Sequence, residues 1–190
     1  IEQDATLKTD DYIDWHISPE PEHYKHTLPD YCPHEHVQWR EAMNEELKSM
    51  HRFEVYQEIA MKNIPKGRQV LGCKWVYKRK RDKDGNIVKY RSRIVALGFR
   101  QKAYDSFIPE ETYSPVVSKD TLRLFLSTCA RQQLTIYQAD VKAAFLQAPL
   151  KEDIYMQAPP GYRVGKNKEA IVWKLKKAVY GLKQASSCFW

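Results

Sequence analysis

Residues 70–96 read VLGCKWVYKRKRDKDGNIVKYRSRIVA and give the strongest local structural signal in the chain. β-Branched and aromatic residues occur in both halves of this stretch, and such residues favour strands. Between the halves, Asp84-Gly85 is typical of a tight hairpin turn. The stretch therefore predicts a β-hairpin whose strands cover residues 70–80 and 87–96.

The predicted hairpin is strongly basic. Because side chains alternate along a strand, Lys89, Arg91 and Arg93 share one face. On the partner strand, the basic residues that share a face are Lys74, Lys78 and Lys80. A basic ribbon of this kind can hold the phosphates of a nucleic-acid backbone or of a triphosphate. Lysines on an edge strand also prevent aggregation, so a purely protective role is the alternative.

Amphipathic helices are predicted on both sides of the hairpin. Residues 35–50 carry apolar side chains at helical spacing, namely Trp39, Ala42, Met43, Leu47 and Met50. Further along, Ser118 can cap a helix that runs through Arg131. The apolar stripe of this second helix consists of Leu122, Phe125, Leu126, Cys129 and Ala130.

Shorter elements complete the predicted order. Strands are expected over residues 53–56, 134–141 and 172–180, and a short helical or turn segment over 143–146. Helices and hairpins without regular βαβ alternation indicate an α+β fold. Residues 1–34 are polar and proline-containing, which indicates a linker or tail. We therefore expect one domain over residues 35–190.

Net charge, the length of apolar runs and the spacing of cysteines limit the kinds of partner that the protein can have. The chain has 190 residues and a net charge of +7, and this charge favours a polyanionic partner such as nucleic acid. No apolar run approaches the roughly 18 residues of a membrane-spanning helix, so we expect no membrane partner. The four cysteines form no CxxC pair, which argues against a zinc or redox motif and indicates a reducing compartment. Since no Met opens the chain, we interpret it as part of a longer chain or polyprotein.

A second candidate site lies at QADVKAAFL, residues 138–146. Asp140 falls at the end of a β-rich segment and precedes a turn of small apolar residues. Aspartate is disfavoured within strands, and strand ends project side chains into clefts, where a carboxylate can bind a metal. The alternative is that Asp140 is a turn or capping residue.

Several blocks of the sequence, taken in order, resemble copia-type reverse transcriptases. The catalytic block is QADVKAAFL, and the blocks that follow it are IYMQAPPGY (154–162) and YGLKQ (180–184). Upstream, the matching blocks are KWVYK (74–78), DG (84–85), RIVA (93–96), GFRQ (98–101) and ETYSPVV (111–117), preceded by a helix with Trp39, Ala42, Met43, Glu46 and Leu47. The resemblance covers residues 37–185.

This resemblance implies a right-hand polymerase fold, in which the basic hairpin belongs to the fingers and Asp140 to the first part of the palm. Asp140 would be the first catalytic, metal-binding aspartate of a two-metal Mg²⁺ site. Arg93, with one of Lys78 or Lys80, would neutralise the charge of the triphosphate.

The same resemblance implies two further contacts with the substrate. Gln184 would contact the nucleotide or the template. Phe145 would lie under the sugar and act as a gate that excludes a ribose 2′-hydroxyl. The alternative for Phe145 is that it anchors the turn in the core.

The implied partners are an RNA template, a DNA primer and product, and dNTPs, together with the rest of a Pol polyprotein, including integrase and RNase H. The expected location is a cytoplasmic virus-like particle, with nuclear entry of the element complex as a further expectation. The family's Tyr-x-Asp-Asp hairpin, which supplies the other catalytic carboxylates, is not found before Trp190. We therefore expect this segment alone to be inactive.

Two alternatives to the polymerase remain at this point. After Gln184, residues 185–190 lack the arginine that is usual in the family, and the tryptophan is displaced. The chain could thus be a decayed remnant of the element. It could also be a non-catalytic nucleic-acid-binding module that keeps the basic ribbon and makes no use of Asp140.

Overall fold

The chain folds into helices and two sheets, one of four strands and one of two, whose strands pair mostly antiparallel. The computed structural model describes residues 19–162 and 171–190. The elements in chain order are α1 (His36–Arg52), β1 (Tyr56–Ala60), β2 (Val70–Leu71), β3 (Cys73–Arg81), β4 (Ile87–Ala96), α2 (Lys119–Arg131), α3 (Ala144–Gln147), β5 (Pro149–Gln157), β6 (Ile171–Lys177) and α4 (Ala185–Phe189). This mixture of helices and strands agrees with the predicted α+β class. No helix within the described residues is long and apolar enough to cross a membrane.

The predicted hairpin is confirmed as strands β3 and β4, which pair antiparallel to form a two-stranded sheet. Its turn is stabilised by Asp82, whose carboxylate accepts hydrogen bonds from the backbone N–H groups of Asp84 and Asn86. Trp75, Tyr77 and Arg79 are buried on one face of β3, whereas the residues between them are exposed. The alternation separates a structural face from a basic face, as the period of a strand requires.

A buried ion pair joins the start of helix α1 to this hairpin. The Arg79 guanidinium donates to both carboxylate oxygens of Glu35, at 3.0 Å from Nε and 2.6 Å from a terminal nitrogen. The Tyr90 hydroxyl donates to the same carboxylate at 2.7 Å, and the Trp39 indole donates at 3.3 Å. Burial alone raises the pKa of Glu35, but the hydrogen bonds from Arg79 and Tyr90 hold this pKa below its ordinary value.

Helix α1 packs its apolar stripe on the hairpin. Trp39 is fully buried, and its ring lies edge-on to Tyr77 at 5.4 Å and to Tyr90 at 4.7 Å between centroids. The helix begins and ends close to its predicted limits. After it, Glu54 adopts a left-handed φ of 50°, which stops the helix. The strand predicted over 53–56 therefore begins only at Tyr56.

The other sheet has the strand order β1-β6-β5-β2. Strand β6 pairs antiparallel with both β1 and β5, and its side chains Trp173 and Leu175 are buried in the main core. Strand β2 pairs parallel with β5, so that Val70 opposes Tyr155. Residues 70 and 71 thus leave the predicted hairpin and join a second sheet. The chain changes sheets at Gly72, whose carbonyl accepts from the Leu97 N–H at 2.9 Å.

Helix α2 begins as predicted, because the Ser118 hydroxyl accepts a hydrogen bond from the Thr121 N–H at 3.1 Å. Its apolar stripe, however, is largely exposed, and Phe125 retains 52% of its accessible surface. The strand predicted over 134–141 is wrong: this segment pairs with no other strand among the described residues, and Tyr137 is 91% exposed. Residues 134–141 favour a strand by composition, but no neighbouring strand among the described residues offers backbone groups with which they could form hydrogen bonds.

Residues 19–34 lie against the hairpin. A 3-10 turn, Tyr24–Thr27, buries Thr27 and packs Tyr24 on the core. The Glu20 carboxylate accepts from the Arg79 backbone N–H at 2.7 Å. Residues 1–18 lie outside the described residues, and the domain boundary at residue 35 stays a prediction.

The Glu35–Arg79 pair gives a stability prediction. Arg79→Met leaves the Glu35 carboxylate buried without its cation, and we expect the free energy of unfolding to fall by about 3–5 kcal/mol. The exposed ion pair between Lys89 and Glu45, at 3.2 Å, is the control. Lys89→Met should cost less than about 1 kcal/mol.

Urea unfolding of each variant measures these differences. A second variant that combines Arg79→Met with Glu35→Leu should recover part of the loss, because it removes the unpaired buried charge together with its partner. A cost for Arg79→Met no greater than that for Lys89→Met would contradict the structural role of the pair.

Candidate active site

One cavity brings the segment around Asp140 next to the basic hairpin. It measures about 620 Å³, a volume within the usual range of small-molecule sites. Its walls come from helix α1, strand β4, the segment 140–145 and the turn after β6. The charged and aromatic side chains among its lining residues are Glu45, Glu46, Lys89, Tyr90, Arg91, Arg93, Asp140, Lys142, Phe145 and Tyr180.

A tight turn places Asp140 and Phe145 on the same cavity. Asp140 is exposed in an irregular segment, and three residues later Ala143 adopts a left-handed φ of 53°. This conformation is uncommon for a residue other than glycine and reverses the chain before helix α3. The Gln147 side chain closes the turn by donating to the Lys142 carbonyl at 2.8 Å. Phe145 follows the turn and is half-buried.

Arg93 reaches the cavity from strand β4. Its guanidinium carbon lies 4.7 Å from the centroid of the Tyr180 ring, in a cation–π contact. The same ring meets Phe145 in an edge-to-face arrangement, with 5.2 Å between centroids. Arg93, Phe145 and Asp140 thus line one cavity, as expected. Tyr180 was assigned no role from the sequence, although it opens the YGLKQ block and could have been considered on that ground.

Helix α1 supplies an acidic wall that the sequence analysis also missed. Glu46 accepts a hydrogen bond from the Ile94 N–H at 3.3 Å, and Glu45 forms an ion pair with Lys89. Burial raises the pKa of Glu46, although the Ile94 N–H and the charges of Arg93 and Arg91 act in the opposite direction. Neither residue belongs to the apolar stripe of the helix, and the helical pattern gives no sign that this side of the helix meets strand β4.

Lys78 and Lys80 do not line the cavity. They are exposed on the outer face of β3, where Lys78 opposes Arg91 and Lys80 opposes Lys89 in the strand register. The two lysines share the exposed face of the hairpin with Arg91 and Lys89, which do line the cavity, and their role at the triphosphate stays a prediction. The four residues form a basic patch towards the tip of the hairpin, and we call this set the hairpin patch.

Gln184 also lies outside the cavity. It is 1% exposed, and its side-chain nitrogen donates to the Ser106 carbonyl at 2.9 Å. Its side-chain oxygen accepts from Gln101 at 3.0 Å, and Gln101 in turn accepts from the Lys183 N–H at 2.9 Å. The predicted contact with a nucleotide or template would require this buried network to open. In this structure Gln184 holds the turn that carries Tyr180.

The geometry can be compared with known proteins. The sequence profile of the family "Reverse transcriptase (RNA-dependent DNA polymerase)" matches residues 54–190. The chain belongs to the reverse transcriptase family. It is 42% identical over 166 residues to the retrovirus-related Pol polyprotein from transposon TNT 1-94 of Nicotiana tabacum. That match covers 87% of the chain and 12% of the polyprotein.

Two other relatives place this reverse transcriptase in the copia-type group. The Pol polyprotein from transposon RE1 of Arabidopsis thaliana is 35% identical over 77% of the chain and 10% of its own length. The transposon Ty1-ER2 Gag-Pol polyprotein of Saccharomyces cerevisiae is 30% identical over 63% of the chain and 6% of its own length. The chain thus spans a small part of these polyproteins. No solved structure matches it.

Reverse transcriptases depend on divalent metals, so we tested whether the residues at the cavity fit such an ion. Among residues 19–162 and 171–190, no group of three or more His, Cys, Asp or Glu side chains is arranged to hold a metal. Glu46 accepts from the Ile94 N–H and Glu45 pairs with Lys89, so that among the described contacts Asp140 is the one cavity carboxylate with no hydrogen bond or ion pair. The described residues do not complete a metal site.

The turn that carries Tyr180 gives a second prediction. A Cβ at Gly98 would lie 1.9 Å from the Gly181 carbonyl oxygen, so this reverse transcriptase needs glycine there. We expect Gly98→Ala to lower the free energy of unfolding by about 1–3 kcal/mol. Gly72→Ala is the matched control, because its Cβ would meet only the flexible Leu97 side chain at 2.9 Å. Thermal unfolding of both variants measures the difference, and equal melting temperatures would argue against the close backbone contact.

Proposed function

We propose that this chain provides the fingers and the first part of the palm of an RNA-directed DNA polymerase encoded by a copia-type retrotransposon. The observation that carries the proposal is the convergence of Arg93, Asp140 and Phe145 on one cavity. A cation, a carboxylate and an aromatic ring are the groups required to bind a triphosphate, a metal and a sugar, respectively.

In this proposal each of the three side chains has one task. Arg93 donates to phosphate oxygens of the incoming dNTP. Phe145 occupies the volume that a ribose 2′-hydroxyl would need, so a deoxyribose is preferred. Asp140 supplies one carboxylate to a two-metal Mg²⁺ site whose other ligands come from outside the described residues.

Exposed apolar surface supports the view that further polymerase structure packs on this chain. Helix α2 exposes Leu122, Phe125 and Leu126, and the following segment exposes Tyr137. Apolar side chains exposed along one helix face are typical of an interaction surface. We propose that the rest of the palm, including the Tyr-x-Asp-Asp hairpin, covers them and completes the metal site. The right-hand arrangement of fingers and palm is part of the same proposal.

The hairpin patch is the proposed contact with nucleic-acid phosphates. Its members Lys78, Lys80, Lys89 and Arg91 lie on adjacent strands, and the chain carries a net charge of +7. Contacts of this kind position a duplex without reading its sequence. In the complete enzyme the patch would hold an RNA template paired to a DNA primer and its product.

The remaining partners follow from the relatives, which are Pol and Gag-Pol polyproteins. We propose that integrase and RNase H belong to the same polyprotein and that the complex works in a cytoplasmic virus-like particle before it enters the nucleus. The match to the reverse transcriptase family favours this function over a non-catalytic nucleic-acid-binding module. The family match extends through residues 185–190, so it does not favour the decayed remnant either.

The hairpin patch gives a binding prediction. We expect the chain to bind single-stranded RNA and DNA weakly, without sequence preference and with an affinity that falls as salt rises. Replacing Lys78 and Arg91 by Gln should reduce the slope of log K against log salt by about 1 for each lost phosphate contact. Fluorescence anisotropy of a labelled oligonucleotide at several salt concentrations measures the slope.

The control for this experiment is the double variant Lys66→Gln and Lys176→Gln, which makes the same change in net charge at exposed sites outside the hairpin. Its slope should remain close to that of the unchanged chain. Equal slopes for both double variants would show that binding depends on overall charge, and the hairpin patch would lose its assigned role.

The cavity residues give a catalytic prediction for the full-length parent enzyme. Asp140→Asn should abolish DNA synthesis while leaving oligonucleotide binding intact, because only the metal ligand is lost. Phe145→Val should raise ribonucleotide incorporation relative to deoxyribonucleotide incorporation. Single-nucleotide primer extension measures both effects.

Leu146→Val is the matched control for Phe145, because Leu146 is buried in the core beside it. This control should lower the melting temperature and leave the choice of sugar unchanged. If Phe145→Val instead reduces the use of both substrates equally and also lowers the melting temperature, Phe145 is a core residue and the gate assignment is wrong.

A further inference from the structure

Tyr180 is the point at which the two predicted nucleotide-binding side chains meet. Its ring contacts the guanidinium of Arg93 at 4.7 Å and the ring of Phe145 at 5.2 Å. These two residues come from different elements, strand β4 and helix α3, and both contact this ring. A single side chain therefore touches both the predicted phosphate-binding group and the predicted sugar-binding group.

The backbone of Tyr180 is held firmly against strand β4. Its carbonyl accepts from the Ala96 N–H at 2.8 Å, and the residue forms a parallel bridge with Val95. The next residue, Gly181, lies so close to β4 that a Cβ there would meet the Ala96 carbonyl oxygen at 2.2 Å. These contacts hold the backbone of Tyr180 next to strand β4.

The contact with Arg93 holds the guanidinium and leaves its donors free. A cation–π contact uses the face of the guanidinium, whereas the N–H groups point outward in its plane. Within the described residues, no carboxylate lies within ion-pair distance of Arg93. The Tyr180 ring thus orients Arg93, and the N–H donors of the guanidinium remain available to bind an anion.

The ring of Tyr180 matters here, and its hydroxyl does not. Among the described contacts, the hydroxyl makes no hydrogen bond, whereas the ring takes part in both the edge-to-face and the cation–π contact. Phenylalanine keeps both ring contacts, and leucine removes both while remaining apolar. This pair of substitutions separates the aromatic contacts from general packing.

We propose that Tyr180 is a positioning residue that sets Arg93 and Phe145 in register, so that recognition of the triphosphate and exclusion of the ribose 2′-hydroxyl depend on one ring. The proposal rests on the proposed polymerase function for its consequence in catalysis. The physical coupling among the three side chains does not depend on that function.

The first experiment uses the full-length parent enzyme in single-nucleotide primer extension. Tyr180→Phe should keep KM for the dNTP and the preference for dNTP over rNTP within about twofold. Tyr180→Leu should raise KM for the dNTP and lower the sugar preference, each by roughly 3- to 10-fold, the size expected when an aromatic contact is lost. Loss of kcat alone, with KM and sugar preference unchanged, would overturn the proposal.

The second experiment uses the 190-residue chain and does not need activity. Urea unfolding of Tyr180→Leu, Arg93→Met and the double variant gives the coupling energy between Tyr180 and Arg93. The same measurements on Tyr180→Leu, Phe145→Val and their double variant give the coupling energy between Tyr180 and Phe145. We expect each coupling to change the unfolding equilibrium constant by at least about twofold. Additive effects in both sets would overturn the proposal. If the unchanged parent enzyme incorporates neither substrate, the proposed function fails, and these couplings still decide whether Tyr180 holds the two side chains.

Discussion

The bidentate hydrogen bonding between Glu35 and Arg79 is the constraint on which the arrangement of the hairpin depends. Two charges removed from water are tolerated only when each is fully paired, and here Tyr90 and Trp39 satisfy the remaining capacity of the carboxylate. Because the donors come from β3 and β4 as well as from α1, the helix and the hairpin cannot slide past each other without breaking the set. Two walls of the cavity are thereby fixed before any ligand arrives.

Strand β4 contributes side chains both to the core and to the cavity of the candidate active site. Ile94 is buried in the core, Tyr90 packs against the core and also borders the cavity, and Arg91 and Arg93 line the cavity. The free edge of the same strand is also used, since the Ile94 and Ala96 N–H groups donate to Glu46 and to the Tyr180 carbonyl. These two backbone N–H groups at the edge of the sheet would otherwise need water as a hydrogen-bond partner. Instead they attach helix α1 and the turn with Tyr180 to strand β4.

Features encoded by neighbouring residues were predictable from the sequence, and those that depend on distant contacts were not. The Asp84-Gly85 turn and the Ser118 cap use local hydrogen bonds, and both are present. The transfer of Val70 to a second sheet depends on Tyr155, which is far along the chain. Likewise, nothing adjacent to Gln184 indicates that Gln101 and Ser106 will bury it. The family resemblance identified Arg93, Asp140 and Phe145, but Tyr180 required knowledge of which rings meet in space.

The pairing of β1 with β6 has a consequence for synthesis on the ribosome. The hairpin can form once residue 96 has emerged, because both of its strands and its turn are local. Strand β1 emerges earlier still, yet its partner β6 is more than a hundred residues away, at Ile171–Lys177. Until then, the nascent chain displays an unpaired edge and the apolar residues that Trp173 will later cover. The order of the strands thus prolongs the exposure of apolar surface during translation, independent of any later step in the life of the element.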